Sequence, residues 1–201
     1  MKDALLIIFV KNPELGKTKT RLAQTIGKEK ALAIYRMLLE RTKYVTFDLE
    51  VDIQVHYNEF IDRNDLWDNG RYIKKKQIEG DLGQKTQFAF EEAFTAGYQK
   101  ICIIGSDCYD LNKKHLEEAF LNLETSEFVL GPSFDGGYYL MGMRDILTPL
   151  FNHKQWSTNS VFNDTLKDIK RANRSYTILS KLSDVDVEAD ADAIMKSGLY
   201  L

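Results

Sequence analysis

Residues 9 to 27 read FVKNPELGKTKTRLAQTIG, directly after the apolar run ALLIIFV at 4–10. Lys11, Lys17, Lys19 and Arg21 crowd into this loop. Ammonium and guanidinium groups neutralise phosphate oxygens, and the guanidinium does so through two parallel hydrogen bonds. Gly16 would let the backbone approach a ligand closely. A helix starting after the loop would add its dipole. The same residues also fit a solvated basic loop. They do not form a G-x-x-x-x-G-K-[ST] phosphate loop.

Three acidic stretches complement the basic one. Asp107 follows the run KICIIGS, and a carboxylate leaving a buried strand is a natural ligand for a hard divalent ion. A turn or helix-capping Asp is the other reading, although Asn112 is better placed to cap. Asp110 reads as a turn residue. Asp135, Gly136 and Gly137, followed by Tyr138, either make a plain hairpin turn or gather a carboxylate, free amides and aromatic faces for a polar substrate. In SDVDVEADADA, Asp184 and Asp186 alternate and point to opposite sides if the chain is extended. Asp186 is expected toward the site, with the remainder capping a helix. His56, His115 and His153 have no metal-ligand spacing, and His115 is expected at the surface of a helix.

Elements must position these groups. The 201 residues bound the chain to one domain over 1–201, and 44% hydrophobic residues suffice for a packed core. A net charge of -3 argues against a nucleic-acid binder, so the basic loop needs a local explanation. No apolar run approaches the roughly 18 residues of a membrane span. The N-terminus does not read as a signal peptide, and Cys102 and Cys108 are expected as free thiols in a reducing cytoplasm.

Strands are expected at 4–10, 51–57, 71–78, 100–105, 128–132, 137–143 and 175–182. Helices are expected at 28–43, 84–97, 113–123, 160–172 and 187–198. The Lys-rich strand at 71–78 should lie near an edge. Strands alternating with helices give an α/β sandwich, and the adjacent pair at 128–143 makes its mostly parallel sheet mixed. Ligands in such sheets sit at the carboxyl ends of strands, which places chemistry after residues 10, 78, 105 and 131.

The ordered set FVKNPELGKTKTRLA, QIEGDLG (77–83), GSDC (105–108), LGPSFDGGYYL, WST (156–158) and DVDVEAD (184–190) covers nearly the whole chain. It resembles the GT-A-like nucleotide-diphospho-sugar transferases known as radical-SAM/selenodomain-associated transferases. These are similar to molybdenum-cofactor and 2-phospho-lactate guanylyltransferases. The resemblance implies a GT-A-like three-layer sandwich and transfer from a nucleotide-activated donor, with Mg2+ or Mn2+. It places Lys11, Gly16, Lys19 and Arg21 at the phosphates, and Gly80, Asp81 and Gly83 at the base or ribose. Asp107 and Asp186 become metal ligands, Asp135 and Asp186 catalytic acids, and Gly136, Gly137 and Tyr138 substrate contacts. The sequence departs from the family in having Ser-Asp-Cys in place of a full D-x-D, and Gln84-Lys85 where an Arg-Met-like pair is expected. Lys85 keeps a charge but loses the guanidinium fork. The implied activity is glycosyl transfer from a nucleoside-diphosphate sugar to a small acceptor. Nucleotidyl transfer from an NTP to a phosphorylated small molecule is the alternative, and a non-catalytic nucleotide binder is a third reading.

Overall fold

In β1 (Ala4–Val10), successive side chains alternate sides, and both sides are apolar. Leu6, Ile8 and Val10 enter one core, while Leu5 and Ile7 enter another. This strand must therefore be covered on both faces, and helices cover it. The computed structural model describes residues 3–152, 154–156, 158–185 and 190.

After β1 come α1 (Thr20–Ile26), α2 (Lys28–Thr46), β2 (Asp52–Tyr57), β3 (Tyr72–Lys76) and α3 (Leu82–Thr95). They are followed by β4 (Lys100–Ile104), α4 (Lys113–Asn122), β5 (Phe128–Pro132), β6 (Tyr138–Met143), α5 (Val161–Arg171) and β7 (Tyr176–Ile178). The strands form a seven-stranded sheet in the order β3-β2-β1-β4-β6-β5-β7. β6 runs antiparallel to both its neighbours, and the other pairings are parallel. Tyr35 and Leu39 of α2 pack with Leu116 and Ala119 of α4 on one face. Phe90 and Ala93 of α3 pack with Ile169 of α5 on the other. The result is the expected α/β sandwich with a mixed, mostly parallel sheet, and β3 lies at its edge.

Local chemistry sets the element boundaries. α3 starts two residues before its expected position because Asp81 accepts from the Gln84 amide while the Gln84 side chain accepts from the Asp81 amide. Gly97, at φ 93°, follows its end. Asn112 and His115 make the same reciprocal pair at the start of α4. His115 is therefore half-buried and engaged with the backbone, a correction to its expected surface position. α1 has no counterpart among the sequence expectations. It is short, has one buried residue, Leu22, and begins after Lys19 in a left-handed conformation. Asp186 and the helix expected at 187–198 lie outside the described residues, apart from Asp190. No helix among the described residues is long and apolar enough to cross a membrane.

His56 is buried in β2, stacked on Phe9 and hydrogen-bonded to Gln54 Oε1 at 2.9 Å. Burial pulls its pKa from the ordinary 6.5 down to about 3, and the Lys75 charge adds to the effect. The unfolded chain thus takes up this proton first. Stability from this group is complete above the ordinary value and declines, by about 1.4 kcal/mol per pH unit, as pH falls toward the folded one. Urea unfolding followed from pH 7 to pH 4.5 is expected to show a falling midpoint in the wild type. His56→Gln should show a distinctly smaller fall, and equal slopes would remove His56 as the cause.

Candidate functional site

Four segments meet at the carboxyl ends of β1, β3, β4 and β5. They enclose a cleft of about 670 Å³. Lys11, Lys19, Arg21, Gln77, Lys85, Ser106, Asp107, Asp135, Gly137, Tyr138, Trp156 and Asp184 are among the residues that line it. The four places marked by the strand-end rule therefore converge.

The frame of the cleft is polar and buried. Tyr35 comes from α2 and reaches the end of β1. Its hydroxyl accepts from the Lys11 amide at 2.8 Å and donates to the Lys11 carbonyl at 3.1 Å. The same oxygen lies 3.2 Å from Ser106 Oγ, at the end of β4. Burial pushes this phenol up to about 12, so it stays neutral as a structural strut. Asn12 ties the next stretch. Its Oδ1 accepts from the amides of Glu59 and Phe60, and its Nδ2 donates to the Phe60 carbonyl. The basic loop is thereby anchored to the loop after β2.

The charged groups divide by what they touch. Lys19 Nζ is 3.0 Å from Asp107 Oδ2. Lys17, which does not line the cleft, pairs with Glu14 and Glu59 and braces the loop. Asp135 Oδ1 accepts from Ser133 Oγ and from the Gly137 amide, the latter at 2.9 Å. One of its oxygens is thus held by the turn, which orients the carboxylate. Gly136, at φ 92°, is pressed against the Asn159 backbone, where a Cβ would fall 2.1 Å from the carbonyl oxygen. It locks the turn to the segment before α5.

The remaining expected residues are not among those that line the cleft. Gly16 is beside Lys28, Gly80 is beside Gln84, and the Asp81 carboxylate caps α3. Gly83 underlies Trp156, and a Cβ there would come 2.0 Å from the indole Nε1. Asp186 lies outside the described residues.

The structure adds groups that the sequence reading did not select. Trp156 stacks on Phe151 and meets Tyr138 edge-on, forming an aromatic wall. Buried Lys154 holds this segment to α5 through Thr165 Oγ1 at 2.8 Å and Asp168 Oδ2 at 3.1 Å. Lys85 sits in the first turns of α3, across from the basic loop. Asp184 brings a second carboxylate near Asp107, and both raise the pKa of the buried Cys108 thiol in addition to desolvation. Cys108 is no nucleophile in that state. WST in the sequence was a signal for Trp156, and the charge kept at Lys85 was a signal for that residue. The place of Asp184 in the lining is visible only with coordinates.

Hard oxygen donors at Asp107 and Asp184 suit Mg2+ or Mn2+, which take one or two carboxylates together with substrate phosphates. Among the described residues no group of three His, Cys, Asp or Glu could hold a metal by itself. The two carboxylates would leave the remaining positions of such a cation to phosphate oxygens and water.

A family profile described as "Uncharacterized protein conserved in bacteria (DUF2064)" matches residues 43–158. The chain belongs to this family. No curated protein sequence matches it. Among solved structures, a protein from Desulfovibrio desulfuricans provisionally described as a nucleotide-diphospho-sugar transferase is 28% identical, with a TM-score of 0.89. The match covers 99% of this chain and 89% of that one. The inositol-1-phosphate CTP transferase from T. maritima is 14% identical, with a TM-score of 0.62 over 98% of this chain and 94% of its own. A Mycobacterium tuberculosis protein in complex with manganese is 11% identical, with a TM-score of 0.54 over 96% and 97%. The DUF2064 chain thus has the fold of nucleotide-diphospho-sugar transferases.

Gly83→Ala is expected to push the indole of Trp156 out of its seat. The other tryptophan, Trp67, is buried in a separate cluster. Fluorescence emission should shift to the red while far-ultraviolet circular dichroism stays unchanged. An unshifted spectrum would mean that the segment carrying Trp156 adapts without moving the ring.

Proposed function

We propose that the cleft binds a nucleotide-activated donor and transfers its sugar to a small acceptor. The observation that carries this reading is the meeting of cations from the basic loop and α3 with the carboxylates Asp107, Asp135 and Asp184 in one cleft. Lys11, Lys19, Arg21 and Lys85 suit the diphosphate. Gly16 shapes the loop, and Gly80, Asp81 and Gly83 shape the start of α3 beside the base or ribose. The similarity to the Desulfovibrio protein over nearly all of this chain supports the class of donor.

Each group then has a role. Lys11 and Arg21 stabilise the charge that develops on the leaving diphosphate, an interaction stronger in the transition state than in the ground state. Asp135 takes the proton of the acceptor hydroxyl through the oxygen that the turn leaves available. Gly137, Tyr138 and Trp156 flank the transferred sugar, with Gly136 fixing the turn. Asp107 and Asp184 would hold a divalent cation, with Asp186 as a proposed further acid. That cation supplies Lewis-acid stabilisation of the phosphate oxygens. Both cysteines are free and buried, which accords with a reducing cytoplasm.

A second reading is nucleotidyl transfer, in which an acceptor phosphate attacks the α-phosphate of an NTP and pyrophosphate leaves. The number of cations favours it, because four basic side chains line the cleft and a triphosphate carries more charge than a diphosphate.

Thermal shift with UDP-, GDP-, ADP- and dTDP-sugars and the matching NTPs, with and without Mg2+ or Mn2+, separates the two. A ligand at a hundredfold excess over its Kd stabilises by about 2.7 kcal/mol. Stabilisation by one nucleotide sugar is expected; stabilisation by an NTP alone would transfer the assignment to the second reading. Silence from every nucleotide would end both. Arg21→Ala and Lys85→Ala should each weaken diphosphate binding by about tenfold and leave free nucleoside binding almost unchanged. Equal losses for both ligands would place these residues at the base or in the fold.

A further inference from the structure

Lys19 is unusual within the basic loop. Its backbone is left-handed, at φ 47° and ψ 47°, a conformation shared among described non-glycine residues only by Asn173. Its side chain is 6% exposed, while that of its partner Asp107 is 41% exposed. A lysine normally keeps its ammonium in water. Here the chain accepts an unfavourable backbone conformation and buries the ammonium, with Nζ 3.0 Å from Oδ2 of Asp107. The Lys19 carbonyl also accepts from the Ala23 amide at 2.9 Å, so the strained residue is fixed to α1. Asp107, at the mouth of β4, therefore already has a resident cation.

We propose that Lys19 and a divalent cation are rivals for the Asp107 carboxylate. Lys19 balances the charge of the site without metal and sets how tightly metal is held before a nucleotide arrives. The inference rests on the reading of Asp107 as a metal ligand. A cation placed at this carboxylate meets the positive charge of Lys19, which opposes it over a distance too short for salt to screen. Phosphate oxygens relieve that opposition by supplying anionic partners to both cations. Metal and nucleotide consequently bind with positive coupling, each raising the affinity for the other by the same factor.

The test is a Mn2+ titration of the nucleotide-free protein, with free Mn2+ read by electron paramagnetic resonance. Wild type, Lys19→Met, Lys19→Gly and Asp107→Asn are compared. Methionine keeps the length of the buried side chain. Glycine suits the left-handed backbone, so at least one charge-free variant should fold. Both Lys19 variants are expected to bind Mn2+ about tenfold more tightly than the wild type, the scale of one charge at that separation even in water. Asp107→Asn should lose the site. If the Lys19 variants bind no more tightly while Asp107→Asn loses binding, the rivalry is wrong and Asp107 remains a metal ligand. If Asp107→Asn binds as well as the wild type, the metal reading of Asp107 falls, and the rivalry falls with it. Absence of Mn2+ binding in the Lys19 variants likewise overturns the proposal.

Discussion

One buried phenol holds the working end of the molecule together. Tyr35 links both backbone groups of Lys11 to Ser106 and so ties the chain just after β1 to the chain just after β4. The basic loop leaves from the first of these strands and Asp107 leaves from the second. The strut supplements the Lys19–Asp107 ion pair, which also joins the cationic and anionic halves of the cleft. Because Tyr35 belongs to α2, the packing of that helix through Leu39 against Leu6 and Ile8 also sets the geometry of the charged groups. Hydrophobic burial on one face of the sheet thereby fixes polar distances at its edge.

Much of this architecture is written in local patterns. Apolar runs such as ALLIIFV and KICII give strands buried on both faces, and turn residues bound them. Asn112 and Gly97 mark helix ends through hydrogen-bonding chemistry that needs no tertiary partner. The strand-end rule located the cleft because parallel strands lead their chains out on the same side. The Asp135 turn was legible too, because Asp-Gly-Gly restricts the backbone strongly.

Other parts depend on contacts between distant residues. α1 escapes a periodicity reading because it is only seven residues long and begins at a left-handed lysine. Trp156 acquires its position from Gly83, which is far away in sequence, and from Phe151 and Lys154 nearby. Lys17 and Lys19 look equivalent in the sequence. Glu14 and Glu59 engage one at the surface, and Asp107 engages the other at the cleft, where the lysine side chain is buried. A charge run alone cannot distinguish them, because the distinction comes from which strand ends beside the loop.

The reversed strand β6 has a further consequence. It begins where its antiparallel neighbours β4 and β5 end, so a tight hairpin, and no long crossover, delivers Asp135 and Tyr138 to the cleft. Gly136 seals that hairpin against Asn159. This part of the rim has no room to grow by insertion. The segment between β2 and β3 is longer and borders the same rim through Asn58. Insertions among relatives are therefore expected in the 58–71 segment, while the hairpin keeps its length.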